Sequence, residues 1–261
     1  MSELDSPVPG VRVLRQDNAG PMTLEGTQSY VLQAPSGAVV IDPGDDDAAH
    51  QEALAALGPV ALILVTHRHH DHVGGLARLR GLTGAASRGA AEEFSVGAAP
   101  LLDGETLALG DGAHLRVLAT PGHTSDSISL VLSRDGVDQA VFTGDTILGH
   151  GTTIIDHPDG TLGDYLDSLE ALRALGPVPT LPAHGGFPGP VDTVAREYLS
   201  HRLMRLEQVK GAADGLRERG LDPTVGAVTD IVYAEVDPSV RGAAEHTVSA
   251  QLALLARRGQ I

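Results

Sequence analysis

The chain has 261 residues, a formal charge of −16, an aromatic content of 3% and no cysteine. The missing thiols exclude disulfides, thiolate metal sites and a cysteine nucleophile, so any metal must be held by His, Asp and Glu. Residues 1–190 carry nine Lys and Arg against 24 Asp and Glu, and residues 191–261 nine against ten, a surface that repels phosphate backbones.

The first residues, "MSELDSPVPG", have neither a basic start nor the apolar stretch of an export signal. No apolar run approaches the ~18–20 residues of a membrane-spanning helix. A cytoplasmic location with no membrane partner is expected.

Residues 11–42 read as strand material, with "SYVLQA" and "AVVIDPG" parted by the turn signal "PSG". Asp45 to Leu57 reads as a helix with its acidic run in the first turn, stopped by Gly58 and Pro59. "VALILVT" is a continuous, β-branched apolar run, the pattern of a strand buried on both faces. A His-rich stretch follows, and "HVGGLARLR" turns helical. Runs at "LRVLAT", "SISLVL" and "QAVFTGD" then alternate with turns. Gly and Pro cluster in "HGGFPGPVD", which places a boundary near residue 190. From Val191 to about Gly220 the chain reads as one amphipathic helix, with Val194, Tyr198, Leu203, Leu206 and Val209 near helical spacing. "DPTVGAVTDIVYAEV" and "VRGAAEHTVSAQLALLARRGQI" add further helices. Two domains are expected: a β-rich one over 1–190 and a helical one over 191–261.

Four histidines and an aspartate fall within six positions, His67 to His72, directly after the apolar run. In an extended backbone, residues two apart project to the same side, so His67 and His69 can grip one ion while His70 points away. Asp71 and His72 come at the next turn, within reach of a second ion. Zinc accepts neutral imidazole and carboxylate at about 2.0–2.2 Å. His123 in "ATPGHTSDS", Asp145 in "VFTGDTI" and His184 in "LPAHGG" each follow an apolar run beside glycine, where a bend aims a side chain into a common mouth.

"THRHHDH" resembles the THxHxDH signature of the metallo-β-lactamase superfamily. "PGHT", "FTGD" and "PAHG" resemble that family's remaining metal motifs, in the right order, over residues 20–190. The resemblance implies an α/β fold, a four-layered αβ/βα sandwich with a binuclear metal site. It implies His67, His69 and His123 at one ion, Asp71, His72 and His184 at the other, and Asp145 bridging both. His70 takes the variable position and has no ligand role. The implied activity is metal-dependent hydrolysis. A hydroxide shared by two ions about 3.5–4 Å apart attacks an ester, thioester or phosphodiester-type substrate, with Asp71 and Asp145 as catalytic carboxylates. Two divalent ions are expected, zinc first, with manganese or iron compatible with the same donors.

A narrower resemblance links "GDTILGHGTTIIDHPDGTLGDYLDSLEAL", "YLSHRLMRLEQV" and the final "LLARRGQI" to the β-lactamase-like protein 2 subfamily. It implies a small, helical, winged-helix-like C-terminal domain, and the subfamily includes a single-strand endoribonuclease. The chain departs from it at "GTQSY", with Gln28 where the family usually has Asn.

Thr66, Thr143 and backbone carbonyls are candidates to hold the outer nitrogens of the ligand histidines. His150, Thr152, Thr153 and His201 are candidates for the pocket wall, and Asp126 for orienting a loop. A small-molecule substrate is favoured over single-stranded RNA, because a basic run and an aromatic stacking platform are both missing. The alternative is a regulatory module whose C-terminal part docks nucleic acid or a partner. Against it, Arg202, Arg205, Arg217, Arg219, Arg257 and Arg258 are balanced by acids. A pocket capped by the C-terminal helices would mark a small molecule, and an open groove a polymer. The oligomeric state is left open.

Overall fold

The computed structural model describes residues 2–235 and 237–261. Its first sheet holds β1 (Ser2–Leu4), β2 (Val11–Arg15), β3 (Gln28–Leu32), β4 (Ala38–Ile41), β5 (Val60–Leu64) and β6 (Ala86–Arg88), in that spatial order, with β4, β5 and β6 parallel. The second holds β7 (Thr106–Gly110), β8 (Ala113–Ala119), β9 (Ile128–Arg134), β10 (Val137–Gly144) and β11 (Thr180–Pro182), in the spatial order β11-β10-β9-β8-β7. Only its β10–β11 pair is parallel.

Each sheet turns apolar side chains inward, and the two inner faces share one core. Val13, Tyr30 and Leu64 of the first sheet join Leu115, Leu130 and Phe142 of the second. The rings of Tyr30 and Phe142 meet edge to face with centroids 5.0 Å apart, a contact worth about 0.5–1.5 kcal/mol beyond its burial. Helices α1 (Ala48–Ala56) and α3 (Leu76–Thr83) cover the outer face of the first sheet, where Val40 and Ile63 cluster with Leu54 and Leu79. Between β5 and α3 lies the single turn α2 (His70–Val73).

The second sheet is covered by α4 (Leu162–Arg173), α5 (Val191–Glu218) and α7 (Arg241–Arg257), with α6 (Val225–Val232) beside them. Val131 and Val141 share a cluster with Leu169, Val209 and Leu254, so one apolar core runs across residue 190. The layers are those of the expected αβ/βα sandwich. Residues 191–261 are helical, with no strand among the described residues. No helix among the described residues is long and apolar enough to cross a membrane.

Main-chain hydrogen bonds tie the two sheets together at the ends that carry the candidate ligands. The Ile128 N–H donates to the Thr66 carbonyl at 2.9 Å, and the Gln28 N–H donates to the Ala183 carbonyl at 2.7 Å. Gln28 is fully buried, and its amide donates to the Pro182 carbonyl at 2.6 Å. It braces the sheets and does not line the cavity described below.

Local reading of the sequence differs from the structure in three places. The helix expected from Asp45 begins at Ala48, because Asp47 is its N-cap and accepts from the His50 N–H at 2.7 Å. Asp45 and Asp46 precede it and pair instead with His70 and Arg78. Secondly, β5 ends at Leu64, so His67 and His69 stand on the irregular segment beyond it. His70 opens α2, so its divergence from those two has a helical and not a strand origin. Thirdly, the short strands β1, β6 and β7 carry no pattern strong enough to have been expected.

Candidate metal centre

All seven expected residues stand where strands end. His67 and His69 follow β5, Asp71 and His72 ride on α2, His123 follows β8, Asp145 follows β10 and His184 follows β11. Two of these bends require glycine. Gly144 has φ +50°, and a Cβ there would lie 2.6 Å from Thr66 Oγ1; Gly122 has φ +136°, and a Cβ there would lie 2.3 Å from Tyr165 Cα. The structure gathers the side chains into two groups, His67, His69, His123 and Asp145, and Asp71, His72 and His184. The candidate donor atoms of each group lie within 4.8 Å of one another.

In the first group, His67 Nε2 lies 3.1 Å from His69 Nδ1, and His123 Nε2 lies 3.0 Å from that same atom. The outer nitrogens settle the tautomers. Thr66 Oγ1 donates to Asp42 Oδ2 at 2.7 Å, so it accepts from His67 Nδ1 at 3.1 Å. His123 Nδ1 donates to the Ile154 carbonyl at 2.8 Å. His69 Nε2 faces Asp156 Oδ2 at 3.3 Å. With each neutral ring protonated on its outer nitrogen, three lone pairs converge, an arrangement that a cation stabilises and that repels itself otherwise.

In the second group, His72 Nδ1 donates to Asp42 Oδ2 at 2.9 Å, which leaves His72 Nε2 facing Asp71 at 3.4 Å and Asp145 at 3.5 Å. His184 Nε2 lies 3.0 Å from Asp71 and 3.3 Å from Asp145. His72 Nε2, His184 Nε2 and Asp145 Oδ1 are buried without a hydrogen-bond partner among the described residues. Asp145 presents Oδ1 to this group and Oδ2 to His123, at 3.7 Å. Buried ring nitrogens and carboxylate oxygens that face one another with no other partner among the described residues are a donor set that fits divalent ions.

The electrostatics differ between the groups. Burial, reinforced by the neighbouring rings, drives His67 well below the usual histidine range; burial outweighs Asp145 and brings His123 down to about 4. Burial also disfavours charge on His72, but Asp71, Asp145 and Asp42 outweigh it and raise its pKa. His184 is raised because Asp145 and Asp71 likewise outweigh burial. Burial alone would raise Asp71, yet His72 and His184 hold it far below the carboxylate range.

Two supporting carboxylates went unnoticed in the sequence. Asp42 is 2% exposed and has φ +52°, a strained backbone for a residue with a Cβ. It accepts from Thr66 N and Oγ1 as well as from His72. Its only signal is its place after a strand in "AVVIDPG". Asp156 receives Arg68 Nη2 at 2.7 Å beside its contact with His69. Thr143, expected to hold a ligand ring, donates instead to the Ile147 carbonyl at 2.9 Å. His70 turns outward to Asp45 Oδ1 at 2.8 Å with its side chain 78% exposed.

Above the two groups opens a cavity of about 700 Å³. Met22, Leu24 and Leu148 give it apolar walls; His150, Thr152 and Thr153 line one side, and His201, Arg202 and Arg205 of α5 another. Thr153 Oγ1 reaches His123 Nδ1 at 3.1 Å, His150 pairs with Glu25 at 3.0 Å, and Asp126 accepts from Thr124 Oγ1 at 2.8 Å, fixing its own turn.

A fold of two face-packed sheets with His and Asp converging at the strand ends defines a class, and the sequence comparisons agree with it. The metallo-β-lactamase superfamily model matches residues 22–184, and a β-lactamase-associated winged helix domain model matches residues 224–261. The chain belongs to the metallo-β-lactamase superfamily and is a hydrolase of that fold. Within it, the chain is 32% identical to a β-lactamase-like protein 2 homolog of Caenorhabditis elegans, across 94% of this chain and 83% of that one. It is 30% identical to an atrochrysone carboxyl ACP thioesterase of Aspergillus fumigatus, across 90% and 75%. Its fold is similar to the crystal structure of a metallo-β-lactamase family protein from Thermus thermophilus, with a TM-score of 0.80 and 25% identity over 97% and 95% of the two chains.

Proposed function

We propose that the chain is a binuclear metal-dependent hydrolase of small carboxylic esters or thioesters. Residues 1–190 form its catalytic domain, and the helices of 191–261 form the upper wall of its pocket. The observation that carries this reading is the convergence of five imidazole rings and two carboxylates in two adjoining groups whose donor atoms lie within 4.8 Å of one another. His67, His69 and His123 would hold one ion, Asp71, His72 and His184 the other, and Asp145 both. Zinc is the preferred occupant, with manganese or iron next. Two such ions supply Lewis acidity and a hydroxide nucleophile at neutral pH.

The chain's own residues supply position. Asp42 and Thr66 lock His67 and His72, and the Ile154 carbonyl locks His123. The loop after Asp145 is pinned from the helices: Tyr165 donates to the Thr146 carbonyl at 2.7 Å, and Tyr198 accepts from the Leu148 N–H at 3.1 Å. The cavity's size and apolar walls support a small molecule over a polymer. The likeness to a protein named as a thioesterase supports the acyl substrate class.

The test is a parallel screen of zinc-loaded protein on thioester, ester, lactone, β-lactam and single-stranded RNA substrates, with metal analysis beside it. About two equivalents of metal and turnover of an ester or thioester are expected, and Asp145→Ala loses at least one equivalent and the turnover. Metal content near zero after gentle purification, or activity on RNA alone, overturns the reading.

A further inference from the structure

The wall of the cavity contributed by α5 carries two arginines that no carboxylate pairs among the described residues. Arg202 is 2% exposed, and Arg205 is half-buried. Both line the cavity, and neither makes an ion pair among the described residues. Arg202 donates to the Thr153 carbonyl and stacks over the Tyr165 ring, with its Nε buried and unpartnered. Arg205 stacks over Tyr233 at 4.9 Å and reaches Gln208 Oε1 at 2.9 Å, and its Nε is likewise buried and unpartnered. A buried guanidinium without an anion is costly in free energy. In a chain of charge −16 carboxylates are abundant, so their absence at this wall is informative. Of the carboxylates that line the cavity, Asp71 and Asp145 belong to the metal end, and Asp156 lies between that end and α7, 3.5 Å from His246 Nδ1; none pairs with Arg202 or Arg205.

A second element meets the same space. Gly242, Ala243 and Ala244, in the first turn of the 17-residue α7, line the cavity. That helix has no side-chain cap and no acidic residue in its first turn, so its first-turn amides add positive potential there. Arg241, at its start, is already paired with Asp230 and Glu245. Between this end and the metal groups the walls are apolar, with Met22, Leu24 and Leu148.

We infer that Arg202, Arg205 and the N-terminus of α7 form an anion subsite, which selects acyl substrates carrying a carboxylate or phosphate beyond an apolar segment. The inference rests on the hydrolase reading for the word substrate, but the subsite itself is a binding property. Arg205 is the specificity-determining residue, because its planar fork can take a carboxylate or phosphate in two parallel hydrogen bonds.

The experiment measures binding to zinc-loaded protein by calorimetry, with α,ω-dicarboxylates of four to ten carbons, monocarboxylates of matched length, and the corresponding ω-phosphate monoesters. In one window of chain length the second anion tightens binding by about 10- to 100-fold, the strength of a charged hydrogen bond. Arg205→Met abolishes that gain, Arg205→Lys keeps part of it, and Arg219→Met, on the exposed end of α5, leaves it intact. A larger gain from the phosphate series than from the dicarboxylates names phosphate as the anion, and the reverse names carboxylate. No gain at any length, or a gain that survives Arg205→Met, overturns the proposal. An Arg205-dependent gain in a protein that turns over no ester supports the subsite and sinks the hydrolase reading alone.

Discussion

The strand ends beneath the cavity and the helices above it face the same space with opposite electrostatic habits. Below, four of the five rings are held from outside: Asp42 takes three hydrogen bonds, and the outer nitrogens of His67, His69, His72 and His123 each have a partner, while the inward atoms His72 Nε2, His184 Nε2 and Asp145 Oδ1 have none among the described residues. Above, Arg202 and Arg205 make no ion pair among the described residues, and α7 has no acidic residue in its first turn. The lower region is over-determined, as the chemistry of positioned ligands requires. The upper one leaves its positive charge for whatever enters.

The largest expected effect breaks the lower region. His69→Ala removes the ring nitrogen that both His67 and His123 face, and turnover falls by about a thousandfold, the several kcal/mol that a well-held ion contributes. Residual activity within tenfold of the parent would show that His69 is not a ligand. Next, Asp42→Asn keeps the shape but gives up an acceptor needed by both Thr66 and His72. Metal affinity, titrated against a chelator, drops about 10- to 100-fold. The contrast would fail if affinity were unchanged.

Leu254→Ala probes whether the upper helices are a separate unit. Leu254 is 4% exposed in the core cluster that also holds Val141 of the second sheet. The change costs about 2–5 kcal/mol and shifts one common thermal transition, with two metal equivalents per folded molecule retained. Two resolved transitions would mean that the regions unfold apart.

His50 sharpens the lower region further. It is 1% exposed against Ser29 Oγ at 2.8 Å, and burial, outweighing Asp47, lowers its pKa to about 4. The folded protein therefore refuses a proton that the unfolded chain accepts near pH 6.5. Stability from this group is complete above about pH 6.5 and is lost as pH falls to about 4, amounting to about 3 kcal/mol. His50→Gln flattens that part of the acid denaturation profile; a profile parallel to the parent's would contradict the assignment. The smallest effect belongs to His70→Ala: its exposed pair with Asp45 contributes under about 1 kcal/mol, and metal content and turnover stay near the parent's.

The seven candidate ligands were legible because each sits in a short motif where a strand stops and a bend begins, as in "FTGD" and "PAHG". Such motifs are local, so one sequence suffices to see them. Asp42 hid because its function depends on an unusual backbone angle that turns it toward His72, and composition does not reveal angles. Thr143 differs from its expected role because its hydroxyl curls back to the Ile147 carbonyl of its own loop. The upper wall was illegible on other grounds: Arg205, Tyr233 and Ala243 come from separate segments and share no motif. His201 was noticed and does line the cavity, but Arg202 and Arg205 looked merely balanced by acids when only the total was counted.

The bonds from Ile128 to Thr66 and from Gln28 to Ala183 clamp the sandwich at the rim that bears the candidate ligands. Amide protons engaged this way trade with solvent only when the layers part. Hydrogen exchange at Ile128 and Gln28 is therefore a gauge of how often the sandwich breathes at that rim, read without any substrate. Protection in α6, which is short and partly exposed, would report the helical side on its own clock.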